Sequence, residues 1–180
     1  MFAACGGDDD DNGGDTSPTT APGATVATTA AELIPDLAPL GFQPVPAAQT
    51  GGFVETPTSK VALFENPGGK VGSVRLEVAL AANTNVAATQ FNALAEALKN
   101  PPPGLFGGEA KQVDGTGVYQ ADQSRSFKTD KPDKEGTLVF SDIHRFGRAV
   151  VIMYTIGPAG AETEAVRKQV AEQINARSPR

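Results

Sequence analysis

The chain has 180 residues, 39% hydrophobic and 20% charged, with 20 Gly, 14 Pro, one Cys, one His and no Trp. That length suits one domain plus a tail. A lone Cys excludes an intrachain disulfide, and with a lone His it excludes a Cys- or His-rich metal centre. The formal net charge of -6 sits at the start: residues 1–31 hold five of the 21 acids and no Lys or Arg, leaving 16 acids against 15 bases in residues 32–180. A nearly neutral body has no positive surplus to condense on phosphates, so no nucleic-acid partner is expected. No apolar run reaches the roughly 18–20 residues that span a bilayer.

Met1-Phe2-Ala3-Ala4-Cys5 places small side chains directly before the sole thiol, and Gly6, Gly7 and Asp8 to Asp11 follow. Small residues, a cysteine and a Gly/Asp-rich spacer resemble the lipobox and tether of bacterial lipoproteins. In that family a signal peptidase cleaves before the cysteine and its sulfur is diacylated. The resemblance implies that Cys5 is the lipidation site and that residues 1–5 are the remnant of a signal peptide. The basic and apolar regions of that peptide are then expected ahead of Met1. It also implies a protein held on the extracytoplasmic face of the cell membrane by lipid, or else secreted. Acyl chains contribute about 0.8 kcal/mol per buried CH₂, so two of them anchor firmly. Residues 6–31 carry Val26 as their only branched aliphatic side chain. Such a segment cannot offset its conformational entropy, so a disordered linker of roughly 25–30 Å reach is expected there.

Residues 32–180 are expected to form a single α+β domain. Glu32 to Leu40 is a short helical or turn segment broken by Pro35 and Pro39. Phe42 to Val45 and Gly52 to Glu55 are extended candidates. Val61 to Glu65 and Ser73 to Ala81 form an antiparallel hairpin about Asn66-Pro67-Gly68-Gly69. In its second strand Val74, Leu76, Val78 and Leu80 share one face, opposite Arg75 and Glu77. A helix runs from Val86 to Lys99, capped by Thr84 or Asn85, with Ala87, Phe91, Leu94, Ala95 and Leu98 as its apolar stripe. Pro101-Pro102-Pro103 stops it, and a Pro/Gly-rich loop leads to Gly108. Gly117 to Asp122, Arg125 to Lys128, Leu138 to His144 and Ala149 to Ile156 are further strands. The last is apolar on both faces, which marks a central strand. A final helix spans Glu162 to Arg177 with Ala165, Val166, Val170 and Ile174 facing inward.

Hairpins interrupted and ended by helices predict an antiparallel β-sheet with two main helices packed on it, preceded by the disordered tail. This element order over roughly residues 42–177, with Arg145-Phe146-Gly147-Arg148-Ala149-Val150-Val151 before a terminal amphipathic helix, resembles extracytoplasmic sensor or lipoprotein domains of actinobacteria. The PsbP-like α+β sandwich has a similar architecture. The resemblance implies an accessory or ligand-binding role.

Motifs for other chemistry are incomplete. Asp8-x-Asp10-x-Asn12-Gly13 opens like a calcium loop, but Thr19 stands where a bidentate Glu is required. Gly68-Gly69-Lys70 lacks the upstream glycine and the following Ser/Thr of a phosphate loop, having Phe64 and Val71 in those places. Gly115-x-Gly117 ends in Gln120, so it is no dinucleotide fingerprint. His144 could join Ser141 or Ser124 and Asp142 in a hydrolase-like centre, although Ser141 and His144 point to opposite faces of one strand and no nucleophile elbow is present. Arg125, Arg145 and Arg148 could bind a small anion if they converge. The reading that follows is a membrane-tethered, extracytoplasmic, non-catalytic binding or interaction module without cofactor or metal. The alternatives are a carrier of a small apolar ligand or lipid, with the segment from Pro101 to Gly108 as a lid, and the His144 enzyme.

Overall fold

The computed structural model describes residues 26–46, 55–101, 111–117 and 119–179. Cys5, the acidic run, most of the extended candidate at 52–55 and nearly all of the Pro/Gly loop lie outside them. The described strands are β1 (Gln43–Pro44), β2 (Ser59–Glu65), β3 (Ser73–Leu80), β4 (Gln112–Asp114), β5 (Gln123–Thr129), β6 (Leu138–Phe146) and β7 (Ala149–Gly157). The helices are α1 (Thr84–Lys99) and α2 (Ala161–Arg177), preceded by single 3₁₀ turns at Ala31–Leu33 and Ala38–Leu40.

All seven described strands form one antiparallel sheet in the order β1-β2-β3-β7-β6-β5-β4. The β2–β3 hairpin has the expected partners, with Ser59 opposite Ala79 and Glu65 opposite Ser73. The Asn66 N–H donates to the Gly72 carbonyl at 2.9 Å, and Gly68 supplies the positive φ of 85° that the turn requires. β6 and β7 pair from Leu138–Gly157 to Phe146–Ala149, leaving Gly147 and Arg148 as a two-residue turn with Gly147 at φ 57°. The sheet is thus two meanders, β1 to β3 and β4 to β7, joined where β3 lies beside β7. The doubly apolar β7 is central, and α1 carries the chain from β3 to the far edge at β4.

The two helices occupy opposite faces, which strand alternation makes plain. Ala87, Phe91, Ala95 and Leu98 of α1 pack with Phe127, Ile143, Val150 and Ile152. Val166, Val170, Ala171 and Ile174 of α2 pack with Val74, Leu76, Val78, Val151 and Met153. Neighbouring residues of β7 therefore serve different layers. Asn83 caps α1, its side-chain Oδ1 accepting from the Val86 N–H at 2.9 Å. That is one residue before the expected caps, because Thr84 is already helical.

Three details differ from expectation. Of the strand expected at Gly117 to Asp122, no described residue lies in a strand: Gly117 has φ 146°, and Thr116 and Tyr119 hydrogen-bond to side chains of α2. Ala165 is exposed; the inner stripe of α2 is Thr163, Val166, Arg167, Val170, Ala171 and Ile174. Packed chain also begins before residue 32. Ala27 and Ala30 are buried, the Ala27 N–H donates to the Arg177 carbonyl at 2.8 Å, and the Ala30 N–H donates to the Pro57 carbonyl at 2.8 Å. These small residues gain their order from distant chain, which local hydrophobicity does not reveal.

Candidate functional site

Along β6 the residues Phe140, Asp142, His144 and Phe146 face α2, and all are buried. The β5 residues opposite them on that face are Lys128, Ser126 and Ser124. From the other side, Arg167 descends from the middle of the inner stripe of α2. Burying one of these charges alone would cost several kcal/mol. The fold answers with a pair: Arg167 is 1% exposed and Asp142 0%.

The pairing is bidentate. Arg167 Nε donates to Asp142 Oδ2 at 2.8 Å and Nη2 to Oδ1 at 2.6 Å. Nη2 also lies 2.7 Å from Ser126 Oγ and 3.0 Å from the Thr116 carbonyl, while Nη1 donates to Glu164 Oε2 at 2.9 Å. Ser126 Oγ donates to Asp142 Oδ1 at 2.6 Å. The guanidinium carbon stands 4.7 Å from the Phe140 ring centroid and 5.6 Å from that of Tyr119. Burial pulls the Arg167 pKa down, but the hydrogen bonds and charge of Asp142 outweigh it, so the net direction is up. Tyr119 Oη donates to Glu164 Oε1 at 3.3 Å; burial first, then the Asp142 charge, push its pKa up. The segment 115–122 is thereby strapped to α2 by Thr116 on one side of Gly117 and Tyr119 on the other. A Cβ at Gly117 would lie 2.8 Å from Arg167 Nη2 and 2.9 Å from Tyr119 Oη.

His144 neighbours this pair without joining it. Its Nδ1 lies 3.0 Å from Ser124 Oγ, and its Nε2 is buried with no hydrogen-bond partner among the described residues. Tyr119 meets its ring edge-on at 5.2 Å. Burial lowers its pKa to about 4, against the raising charge of Asp142. The imidazole is therefore neutral at pH 7. Of the hydroxyls suggested by sequence, Ser124 reaches His144. Ser141 does not: it is on the α1 face, where Gln112 Nε2 donates to its Oγ at 3.0 Å. Asp142 shares the His144 face, but its carboxylate is engaged by Arg167 and Ser126. A hydroxyl and an imidazole without an orienting carboxylate, 99% shielded at the imidazole, lack the base-activation geometry of a hydrolase.

The three arginines singled out by sequence lie elsewhere. Arg145 donates to Gln123 Oε1 at 2.7 Å and to the Gly147 carbonyl at 3.2 Å, and sits 3.4 Å from Asp122 Oδ2. Arg125 is exposed on the α1 face of β5, with Nη1 donating to the Ser124 carbonyl at 3.1 Å. Arg148 stands in the β6–β7 turn, its N–H donating to the Pro179 carbonyl at 3.2 Å. The charge of Arg145 is thus compensated locally.

A cleft of about 310 Å³ opens beside the buried pair. Phe140 and Lys128 border it on the sheet side, and Gly160, Ala161, Thr163, Glu164 and Arg167 border it from the α2 side. Among the described residues no group of three or more His, Cys, Asp or Glu could hold a metal ion, and no helix is long and apolar enough to cross a membrane. No family model, curated protein or solved structure matches this chain.

Proposed function

We propose that this protein is a lipid-anchored, extracytoplasmic binding module without catalysis of its own, attached to the cell membrane through Cys5. The observation that carries the anchoring is the sole cysteine, set directly after Ala3-Ala4, with residues 6–26 between it and Ala27, the first buried residue among the described ones. The pairing of interior charges supports the non-catalytic part: Asp142 and Arg167 neutralise each other where both are buried, and His144 is 1% exposed. A carrier of apolar ligands gains no support from the cleft, whose walls include Lys128, Glu164 and Arg167.

The test is expression from the full native gene, upstream sequence included, followed by mass spectrometry of the membrane fraction. A diacylated Cys5 at the mature N-terminus is expected, and Cys5→Ala should release the protein from the membrane. A mature protein with an unmodified Cys5 would overturn the anchoring.

A further inference from the structure

We infer that His144 and the strap over it, ending in Tyr119 and Asp122, form an acid-operated latch: proton uptake by the imidazole drives Tyr119 off the ring and frees the strap from α2. The inference stands apart from the lipid anchor proposed above.

The imidazole is 1% exposed, and its two nitrogens are unequally served. Nδ1 has the Ser124 hydroxyl at 3.0 Å, while Nε2 is buried with no hydrogen-bond partner among the described residues. A neutral ring tolerates this, because the hydroxyl can donate or accept. An imidazolium does not: both of its nitrogens donate. The Nε2–H would then bring part of a full charge to a place without an acceptor, which costs far more than an orphaned neutral atom.

The charged and titratable groups on this face do not meet that demand. On β6, Asp142 is already held by Arg167 and Ser126. From α2 come the Arg167 cation, which opposes a second positive charge, and Glu164, shared between Arg167 Nη1 and Tyr119 Oη. On β5, Lys128 stands two residue pairs beyond Ser124, and on β7 the residue opposite His144 is Val151. The strap brings Tyr119 and, at its end, Asp122, whose carboxylate accepts from the Gly147 N–H and lies 3.4 Å from Arg145. Burial, with the Arg167 charge, outweighs Asp142 and holds the imidazole down to about 4.

One wall around the ring is weaker than the rest. β5, β6 and β7 are fixed by ladder hydrogen bonds and α2 by its own backbone. No described residue from 115 to 122 lies in a strand or helix. The ends of this segment are fastened by the Gly115 N–H to the Ser126 carbonyl at 2.8 Å and the Asp122 N–H to the Arg145 carbonyl at 2.9 Å. Over the ring it is held by the Tyr119 hydroxyl, whose 3.3 Å bond ends on a Glu164 side chain that is 44% exposed. Segments held this way open at far lower cost than the whole fold. Release of Tyr119 uncovers the ring to water, so the open form accepts the proton that the closed form resists. Acid then favours the open form by up to about tenfold per pH unit.

The chain has one His and two Tyr, so NMR of the full chain reads each of them directly. Tyr154, which packs with the α1 layer on the other face, is the internal control. Between pH 7 and 4 at constant ionic strength, the His144 ring should titrate with a midpoint between about 4 and 6.5. The Tyr119–His144 ring NOE should vanish over the same range while Tyr154 stays unmoved. Exchange protection of the Asp122 amide, corrected for its intrinsic rate, should fall by up to about tenfold per pH unit and remain below that of the β7 amides. In His144→Leu, Tyr119 should hold its place to pH 4. Glu164→Gln, which keeps an acceptor for Tyr119, should retain the transition, separating it from the titration of that carboxylate. A His144 that stays neutral to pH 4, or one that takes up a proton with the Tyr119 contact intact, would overturn the latch. So would release of Tyr119 in His144→Leu, or release only together with Tyr154 and the β7 amides. The wild-type readouts alone decide the matter where a variant does not fold.

Discussion

Replacing Arg167 by Met removes the guanidinium and keeps most of the side-chain volume. Asp142, which is 0% exposed, would retain only the Ser126 hydroxyl as a partner. Stranding one member of a buried ion pair costs about 3–5 kcal/mol. The double variant Arg167→Met/Asp142→Leu strands nothing. Thr116 is exposed, so its carbonyl can turn to water, and Ser126 is only partly buried. Apolar replacements of whole buried pairs are often neutral or stabilising, so the double variant should recover at least half of the loss. Urea denaturation at pH 7 reads both. With a slope of about 2 kcal/mol per molar urea, the single variant should lower the midpoint by about 1.5–2.5 M at unchanged slope. Asp142→Leu alone strands the guanidinium and should cost a similar amount, so the coupling energy of the cycle should be about 4.5 kcal/mol or more. A single variant within about 1 kcal/mol of wild type, or two losses that simply add, would refute the idea that the pair is a coupled, desolvated unit.

The other predictions concern the layer around that pair. His144 binds its proton in the unfolded chain near pH 6.5 but in the folded one only near pH 4. Its contribution is therefore fully present above about pH 6.5 and lost as the pH falls toward 4, by about 3 kcal/mol in all. Stability measured against pH should show this slope, and His144→Leu should flatten it. Gly117→Ala puts a methyl against Arg167 Nη2 and Tyr119 Oη at φ 146°. A loss of about 1–3 kcal/mol is expected, with faster amide exchange in 115–122. Asn83→Ala removes the α1 cap and should cost about 1 kcal/mol in the same urea assay.

The elements were legible in the sequence wherever periodicity was clean. Val74, Leu76, Val78 and Leu80 alternate without exception, and they form the α2-facing side of β3. Val150 to Met153 are apolar throughout, and β7 lies at the centre of the sheet. The joining of the two meanders through β3 and β7 was not legible, because a pairing between distant strands is a tertiary choice with no local signature. The buried pair was missed for a different reason. In the sequence Asp142 figures only as a partner for His144 and Arg167 not at all, yet their phase marks both as inward. Asp142 and His144 alternate in step with Phe140 and Phe146, and Arg167 falls in the stripe of Thr163, Val170 and Ile174. Two opposite charges, each in apolar phase on separate elements, are a usable signal for a buried ion pair. The early order at Ala27 and Ala30 left no such trace, since it depends on carbonyls of Arg177 and Pro57.

The meeting of Ala27 with Arg177 fixes an orientation. Ala27 lies beside the last turn of α2, where Arg177 Nη1 also donates to the Glu32 and Ile34 carbonyls. From there α2 runs as a strut about 25 Å long to its opposite pole at Gly160 and Ala161. Ala27 therefore marks one pole of the body, and the cleft beside Gly160 opens at the other. Under the anchoring proposed for Cys5, that geometry would hold the Gly160 end of the body away from the membrane.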